Sequence, residues 1–162
     1  AVGKFAWNDV PIYALGQMLG AMLGALVVWI TYRQHFDATT DPDMQLAAFC
    51  TGPAIRNPFY NIVTEAVGTF MLVFGVMMIV SPQASLGALD ALPVALLLFG
   101  IGLSLGGPTG FAVNPARDLG PRIMHAILPM TNKRDSDWGY AYVPVVGGII
   151  GGLIAAVVYS ML

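Results

Sequence analysis

The chain has 162 residues, of which 57% are hydrophobic and 10% are charged, and its formal net charge is −2 at pH 7. Soluble domains carry about 25% charged residues, so this composition indicates a multi-pass protein of the cell membrane, with the lipid bilayer as its partner. The lack of a basic excess excludes nucleic-acid binding. A single cysteine, Cys50, and two isolated histidines leave no ligand set for a metal, and no cofactor is expected.

The first predicted membrane span covers residues 10–32. This length crosses a hydrocarbon core of about 30 Å at about 1.5 Å per residue. Gly16, Gly20 and Gly24 recur at every fourth position, a spacing that lets another helix backbone approach closely. Gln17 is strongly polar in the middle of the span, so we expect its side chain to face protein.

A polar connection over residues 33–61 follows, and its Asp, Asn, Pro and Gly residues predict an extramembrane loop. Within it, residues 44–51 are apolar enough for either a short surface piece or a re-entrant piece, and the sequence leaves both open. The second span is predicted over residues 62–80, where Ser81 and Pro82 end it.

Glu65 is a carboxylate placed a few residues inside the second span. One interpretation puts it at the membrane interface, where its side chain would reach water. The other turns it into the helical bundle, where it would accept hydrogen bonds from unwound backbone, because a buried carboxylate needs partners. We favour the second interpretation.

The third span is predicted over residues 88–106, after a short loop at 83–90, and a glycine-rich break extends to residue 113. Asn114 can cap a helix and Pro115 suits its first position, which predicts a helix over residues 115–127. Such a helix reaches only about 20 Å and cannot cross the bilayer. We therefore favour a half-helix that dips into the membrane over a helix lying at its surface.

Two opposite charges, Arg117 and Asp118, stand in this otherwise apolar region. Charge at membrane depth is expensive, so an ionisable side chain there is a candidate for a functional site. The alternative for Arg117 is a structural ion pair with Asp118 or Glu65.

The last span is predicted over residues 140–162, after a polar stretch at 129–139. Residues 144–153 align without gaps with residues 17–26, small residue against small residue. The two copies lie in the first and fourth spans, which cross the membrane in opposite directions, and this predicts inverted repeats like those of many transport proteins. A matching half-helix is then expected before residue 1, so we interpret the chain as part of a longer channel domain.

The motif Gly-Phe-Ala-Val-Asn-Pro-Ala-Arg-Asp over residues 110–118 resembles the signature of the major intrinsic proteins, the aquaporins and glycerol facilitators. Residues 17–21, 65–69 and 106–110 support the resemblance, which covers essentially the whole chain. It implies an all-α membrane protein, a right-handed helical bundle with inverted repeats and re-entrant half-helices. Residues 1–162 would form one channel domain that lacks its first two spans and first Asn-Pro-Ala half-helix.

Several positions are similar to the glycerol branch of that family: Asp118, Arg122 and the pair Pro144 and Val145. The resemblance implies a selectivity filter that includes Gly102, Phe111 and Arg117, with a second aromatic residue outside this chain. A glycine rather than a histidine at position 102 widens such a filter. For Phe111 the alternative is an aromatic residue packed in the core.

The resemblance also implies roles for the residues around the filter. Asn114, with Pro115 and Ala116, would form the Asn-Pro-Ala motif, and its amide would donate hydrogen bonds at mid-pore. Glu65 would hold the unwound loop, and Asp118 would restrain the start of the half-helix. Hydrogen-bond acceptors along the pore would be the carbonyls of Gly107, Pro108, Thr109, Gly110, Ala112 and Val113.

The expected function is a passive channel for glycerol, related small neutral polyols and water, which excludes protons and ions. By resemblance it would be a homotetramer, with residues 33–60 and 107–139 outside the cell and residues 81–90 inside. The alternatives are a secondary transporter with broken helices and a water-selective aquaporin. The sequence shows no nucleophile, base or metal cluster of the kind that an enzyme would need.

Overall fold

The computed structural model describes residues 5–79 and 87–162, and the regular structure of these residues is helical. Short 3-10 turns occur at Trp7–Asp9 and Gly87–Leu89. The α-helices, in chain order, are α1 (Val10–Thr31), α2 (Arg33–Ala38), α3 (Pro42–Ala47), α4 (Pro58–Ile79), α5 (Leu92–Leu105), α6 (Pro115–Ile127) and α7 (Tyr142–Ser160).

Four segments are long and apolar enough to cross a membrane: Trp7–Thr31, Pro58–Ile79, Gly87–Leu105 and Tyr142–Ser160. They correspond to the four predicted spans, so the prediction of a multi-pass membrane protein is confirmed. The half-helix α6 has the predicted bounds, and its thirteen residues are too few to cross a bilayer.

The start of α4 differs from the prediction, because the helix begins at Pro58 and not at residue 62. Asn57 provides the start: its carbonyl accepts from the Asn61 amide at 2.9 Å and its side chain from the Tyr60 amide at 3.4 Å. Asn57 and Pro58 therefore begin a helix as Asn114 and Pro115 do, although the sequence places them in the loop. The predicted end at Val80 lies outside the described residues.

The third span is also divided differently, because its α-helix begins at Leu92, after the turn Gly87–Leu89. Pro93 lies in the first helical turn, where its missing amide hydrogen has no partner to lose. Most of the predicted loop at 83–90 lies outside the described residues.

The connection between α1 and α4 is more ordered than the predicted loop. It contains α2 and α3, and the Asp41 side chain caps α3 by accepting from the Asp43 amide at 2.8 Å. After α3 the chain turns inward, so that Phe49 and Cys50 are buried, each 3% exposed. Residues 44–51, for which the sequence allows either a surface piece or a re-entrant piece, therefore form the end of α3 and a buried turn.

Glycines permit two close helix crossings. In α7, a methyl group on Gly147 would lie 2.5 Å from Glu65 Cβ, and one on Gly151 would overlap the Ala66 carbonyl of α4. Gly120 of α6 approaches α1, where a methyl group would lie 2.8 Å from Ala21 Cβ. The glycines of α1 singled out from the sequence have no such contact with the described residues. The close crossings therefore join α4 to α7 and α1 to α6.

We expect Gly151→Ala to destabilise the protein and Gly152→Ala, its matched control, not to do so. The added methyl group at 151 meets backbone atoms of α4, including Phe70 N at 2.9 Å, whereas the one at 152 meets nothing within 4 Å. Overpacking of this kind costs about 1–3 kcal/mol, while alanine at an open helical site is favoured over glycine by about 1 kcal/mol. Thermal unfolding in detergent shows whether each variant melts below or above the unsubstituted protein. Equal melting temperatures for the two variants would contradict the prediction.

Candidate functional site

The segment between α5 and α6 has an unusual backbone. Phe111 has φ +61° and Val113 has φ +44°, both in the left-handed region that non-glycine residues rarely adopt. Each such residue costs about 1–3 kcal/mol and persists only where its surroundings hold it. Gly110, at φ +83°, adopts its conformation without that cost. The segment must therefore be held by contacts from elsewhere in the chain.

Glu65 of α4 provides such contacts. One oxygen, Oε1, accepts from the Ala112 amide at 3.2 Å, and Oε2 accepts from the Val113 amide at 2.8 Å. The side chain is buried, with the residue 1% exposed, so it does not reach water as the interfacial interpretation required. In a planar trans peptide the N–H and C=O point in opposite directions. The carbonyls of Phe111 and Ala112 therefore point away from Glu65.

Several carbonyls of this segment are free to accept hydrogen bonds. Within the described residues, nothing donates to the carbonyls of Gly107, Thr109, Gly110, Phe111 and Ala112. Pro108 differs, because its carbonyl accepts from the Ala54 amide at 3.0 Å. Of the predicted row of acceptors, the Pro108 carbonyl is therefore already used within the protein. Its hydrogen bond joins the segment to the connection before α4.

Phe111 and Gly102 lie against each other. A methyl group on Gly102 would come within 3.2 Å of Phe111 Cε1, so the aromatic ring occupies the space that a side chain at position 102 would need. Phe111 is half-buried rather than enclosed in a core. The pair presents an aromatic face whose position depends on the missing side chain at Gly102.

Arg117 is exposed, and its side chain has no hydrogen-bond or ion-pair partner in residues 5–79 and 87–162. The alternative of an ion pair with Asp118 or Glu65 is therefore not found. Arg117 lines a cavity of about 490 Å³ together with Gln17 and Asn114. Gly102 and Phe111 do not line that cavity, so the described residues do not by themselves bring the three predicted filter positions together.

Asn114 caps α6, and Pro115 follows in the first turn. The Asn114 Oδ1 accepts from the Ala116 amide at 2.9 Å, and Nδ2 donates to Gln17 Oε1 at 3.0 Å. Ala116 is buried at the start of the half-helix. The Asn-Pro-Ala motif thus forms the half-helix start, and one of its amide hydrogens is committed to α1.

Asp118 and Arg122 form a fully buried pair, both residues being 0% exposed. Arg122 Nε donates to Asp118 Oδ2 at 2.9 Å, and Nη2 donates to Asp118 Oδ1 at 3.0 Å and to the Thr51 carbonyl at 2.9 Å. Nη1 donates to the carbonyls of Ser136 and Asp137 at 2.7 and 2.9 Å. All five hydrogens of the guanidinium therefore have an acceptor.

The same pair reaches the connection before α4. Asp118 Oδ1 accepts from the Thr51 amide at 2.8 Å and from its hydroxyl at 2.6 Å. Nearby, His125 Nδ1 lies 2.8 Å from Ser136 Oγ. The roles of Arg122, Thr51 and Ser136 were not predicted from the sequence. The one signal for them is the spacing of Asp118 and Arg122, which places these two residues on one helix face.

Cys50 adjoins this buried cluster and is not a reactive group. Burial raises the pKa of its thiol to about 12, although the positive charge of Arg122 acts in the opposite direction. The thiolate is the nucleophilic form, so Cys50 stays unreactive near neutral pH. In residues 5–79 and 87–162, no three His, Cys, Asp or Glu residues cluster as a metal site would require.

Comparison with known proteins places this geometry in context. Residues 1–159 match the family described as "Major intrinsic protein". The chain is 52% identical over 161 residues to the "Probable glycerol uptake facilitator protein" of Thermotoga maritima, covering 99% of this chain and 68% of that protein. It is 49% identical over 159 residues to the "Glycerol uptake facilitator protein" of Bacillus subtilis, covering 98% and 58%.

A solved structure is also similar, the aquaglyceroporin from Plasmodium falciparum. It superposes with a TM-score of 0.87 at 27% sequence identity, over 99% of this chain and 67% of that one. The chain thus spans 58% to 68% of the length of these three proteins.

Proposed function

Because the chain belongs to the major intrinsic protein family, we propose that it forms a passive channel for glycerol, related small neutral polyols and water. The members of this family are membrane channels and not enzymes. The names of the two bacterial relatives support glycerol as the permeant. The observation that carries the proposal is the unwound segment, in which Glu65 turns the carbonyls of Phe111 and Ala112 outward.

The proposed permeant has two chemically distinct sides. The hydroxyl groups of glycerol donate to the free carbonyls of the unwound segment and accept from Arg117, whose planar guanidinium suits two adjacent oxygens. The aromatic face of Phe111, which lies against Gly102, packs against the carbon atoms of the polyol. This arrangement favours a molecule with hydroxyl groups along one side and carbon–hydrogen bonds along the other.

Exclusion of protons and cations is also part of the proposal. Arg117 has no anionic partner in the described residues, so its charge acts on the pathway. The N-terminus of α6 adds the positive end of a helix dipole near Asn114. These two positive potentials beside the same cavity raise the energy of any cation there.

A coupled secondary transporter is the weaker alternative, because coupling needs an ion or proton site. Both acids at membrane depth are committed: Glu65 to two backbone amides, and Asp118 to Arg122 and Thr51. A water-selective channel is disfavoured by the names of the two bacterial relatives, both glycerol uptake facilitators. The homotetramer, and a second half-helix before residue 1 in the same channel domain, stay predictions.

The function is tested by liposome swelling with the complete gene product. We expect fast swelling in glycerol and in water, and slower swelling in a sugar alcohol longer than glycerol, since a longer polyol gives up more hydrogen bonds to water on entry. Swelling should not depend on an ion gradient. Swelling in water alone would support a water-selective channel, and uptake that requires an ion gradient would support a transporter.

Arg117→Ala is expected to lower the glycerol-to-water permeability ratio by about tenfold or more, since a hydrogen bond to a charged group contributes about 1.5–3 kcal/mol. Proton leak should rise in the same variant. Arg134→Ala, which removes an exposed loop arginine paired with Asp43 and Asp135, is the control and should change neither. If Arg117→Ala leaves both glycerol selectivity and proton exclusion intact, the filter assignment is wrong.

A further inference from the structure

Gln17 is a polar residue in the middle of α1 that the proposed function does not yet use. Its only described hydrogen bond joins it to Asn114, 97 residues further along the chain, with Nδ2 of Asn114 as donor at 3.0 Å. α1 packs against the half-helix α6, so this bond crosses between two helices. A polar residue at this depth in a membrane helix has few reasons to be there unless another polar group needs it.

The orientation of the Asn114 amide follows from the hydrogen bonds on its two sides. Its Oδ1 accepts from the Ala116 amide at 2.9 Å, which only an oxygen can do. The nitrogen must then face Gln17, and Gln17 must present its oxygen in return. Each amide oxygen accepts one of these bonds, and one hydrogen of the Asn114 amide is left without an acceptor in the described residues.

These two side chains separate two cavities. One, of about 490 Å³, extends towards Arg117, and the other, of about 580 Å³, extends towards Tyr13. Gln17, Asn114 and Ala116 line both cavities. A molecule that moves between them passes the remaining hydrogen of the Asn114 amide.

We propose that Gln17 is a positioning residue, which holds the Asn114 amide so that its remaining hydrogen faces the permeant and its oxygen does not. Without Gln17, one anchor remains on Asn114, and the Nδ2 group can rotate with the side chain away from the pathway. A hydroxyl group of glycerol then loses a donor in a fixed direction. Water, which adapts to any direction, loses less. This inference rests on the proposed glycerol channel.

The test compares glycerol and water permeability per channel in liposomes that contain the complete gene product. Gln17→Met is close in size and has no acceptor for Asn114, so the glycerol-to-water ratio should fall by about fivefold, the equivalent of one hydrogen bond. Gln17→Glu keeps an oxygen opposite Asn114 and should leave that ratio near that of the unsubstituted protein. Leu19→Met, on an exposed part of α1, is the control and should change nothing.

A double-substitution cycle separates positioning from a purely structural role. In an Asn114→Ala background, Gln17→Met should have no further effect on the ratio, because the group that Gln17 positions is gone. An unchanged ratio in Gln17→Met, an equal fall in both backgrounds, or a fall in Gln17→Glu like that in Gln17→Met would overturn the proposal. If the unsubstituted protein passes no glycerol, the proposed channel function itself fails, which is a different result.

Discussion

Arg122→Met is expected to destabilise the protein by about 3–5 kcal/mol, the range for removing one partner of a buried ion pair. Asp118 would stay buried at 0% exposure without its cation. The carbonyls of Thr51, Ser136 and Asp137 would each lose a charged donor at the same time. These carbonyls belong to two separate loops, so both loops should loosen from the half-helix together.

A second arginine provides a matched control for this variant. Arg33 and Asp37 are also spaced by four residues and also 2.9 Å apart, but their side chains are 42% and 43% exposed. Exposed helical pairs of this kind contribute about 0.3–0.5 kcal/mol. Arg33 also donates to the Pro129 carbonyl at 3.1 Å and lies over the Trp29 ring, contacts that contribute about 1 kcal/mol each. Arg33→Met should therefore lower the melting temperature in detergent clearly less than Arg122→Met does. If Arg122→Met and Arg33→Met lower the melting temperature equally, burial of the ion pair does not determine how much it stabilises the protein.

Glu65→Leu is expected to abolish glycerol permeation and to destabilise the protein. The amides of Ala112 and Val113 would lose their only described acceptors, at about 1–3 kcal/mol for each unsatisfied group. The strained backbone at Phe111 and Val113 would then relax, and the carbonyls of Phe111 and Ala112 would no longer point away from α4. Glu65→Gln keeps one acceptor but places an NH₂ group opposite an N–H, so its effect should be intermediate.

Thr64→Val is the control for the Glu65 variants, since it removes a polar group from the adjacent position. The Thr64 hydroxyl donates only within its own helix, to the Tyr60 carbonyl at 3.0 Å. Glycerol flux and melting temperature, measured on the same preparations, should therefore be nearly those of the unsubstituted protein. Normal glycerol flux in Glu65→Leu would show that another group holds the unwound segment.

Helices with long apolar runs could be predicted from the sequence because length and composition alone specify them. The start of the half-helix α6 was predicted at the observed residue, since Asn114 and Pro115 mark it, and its end was predicted at about residue 127. The same pair of residue types at Asn57 and Pro58 was assigned to a loop, because the polar residues before it masked the helix start. Local signals of equal strength therefore gave different results in different surroundings.

The site was less predictable, because its contacts join distant parts of the chain. Buried Glu65 meets amides that lie 47 and 48 residues further along, and no sequence period indicates which amides these are. Arg122 was noted only as a family feature, since three of its acceptors are carbonyls of loops without a regular pattern. The stripe of glycines in α1 is the opposite case: its sequence pattern is clear, but these glycines make no close helix contact with the described residues.

The outward carbonyls of Phe111 and Ala112 are main-chain atoms, and this restricts how the protein can evolve. No codon change at either position deletes a carbonyl, so mutation cannot remove these acceptors one at a time. Glu65 sets the direction of these carbonyls indirectly. It accepts from the amide at the opposite edge of each peptide plane and does not touch the carbonyl itself. Selection for a different permeant therefore has to act on the few side chains that face the same space, while the backbone half of the surface is retained as a single unit.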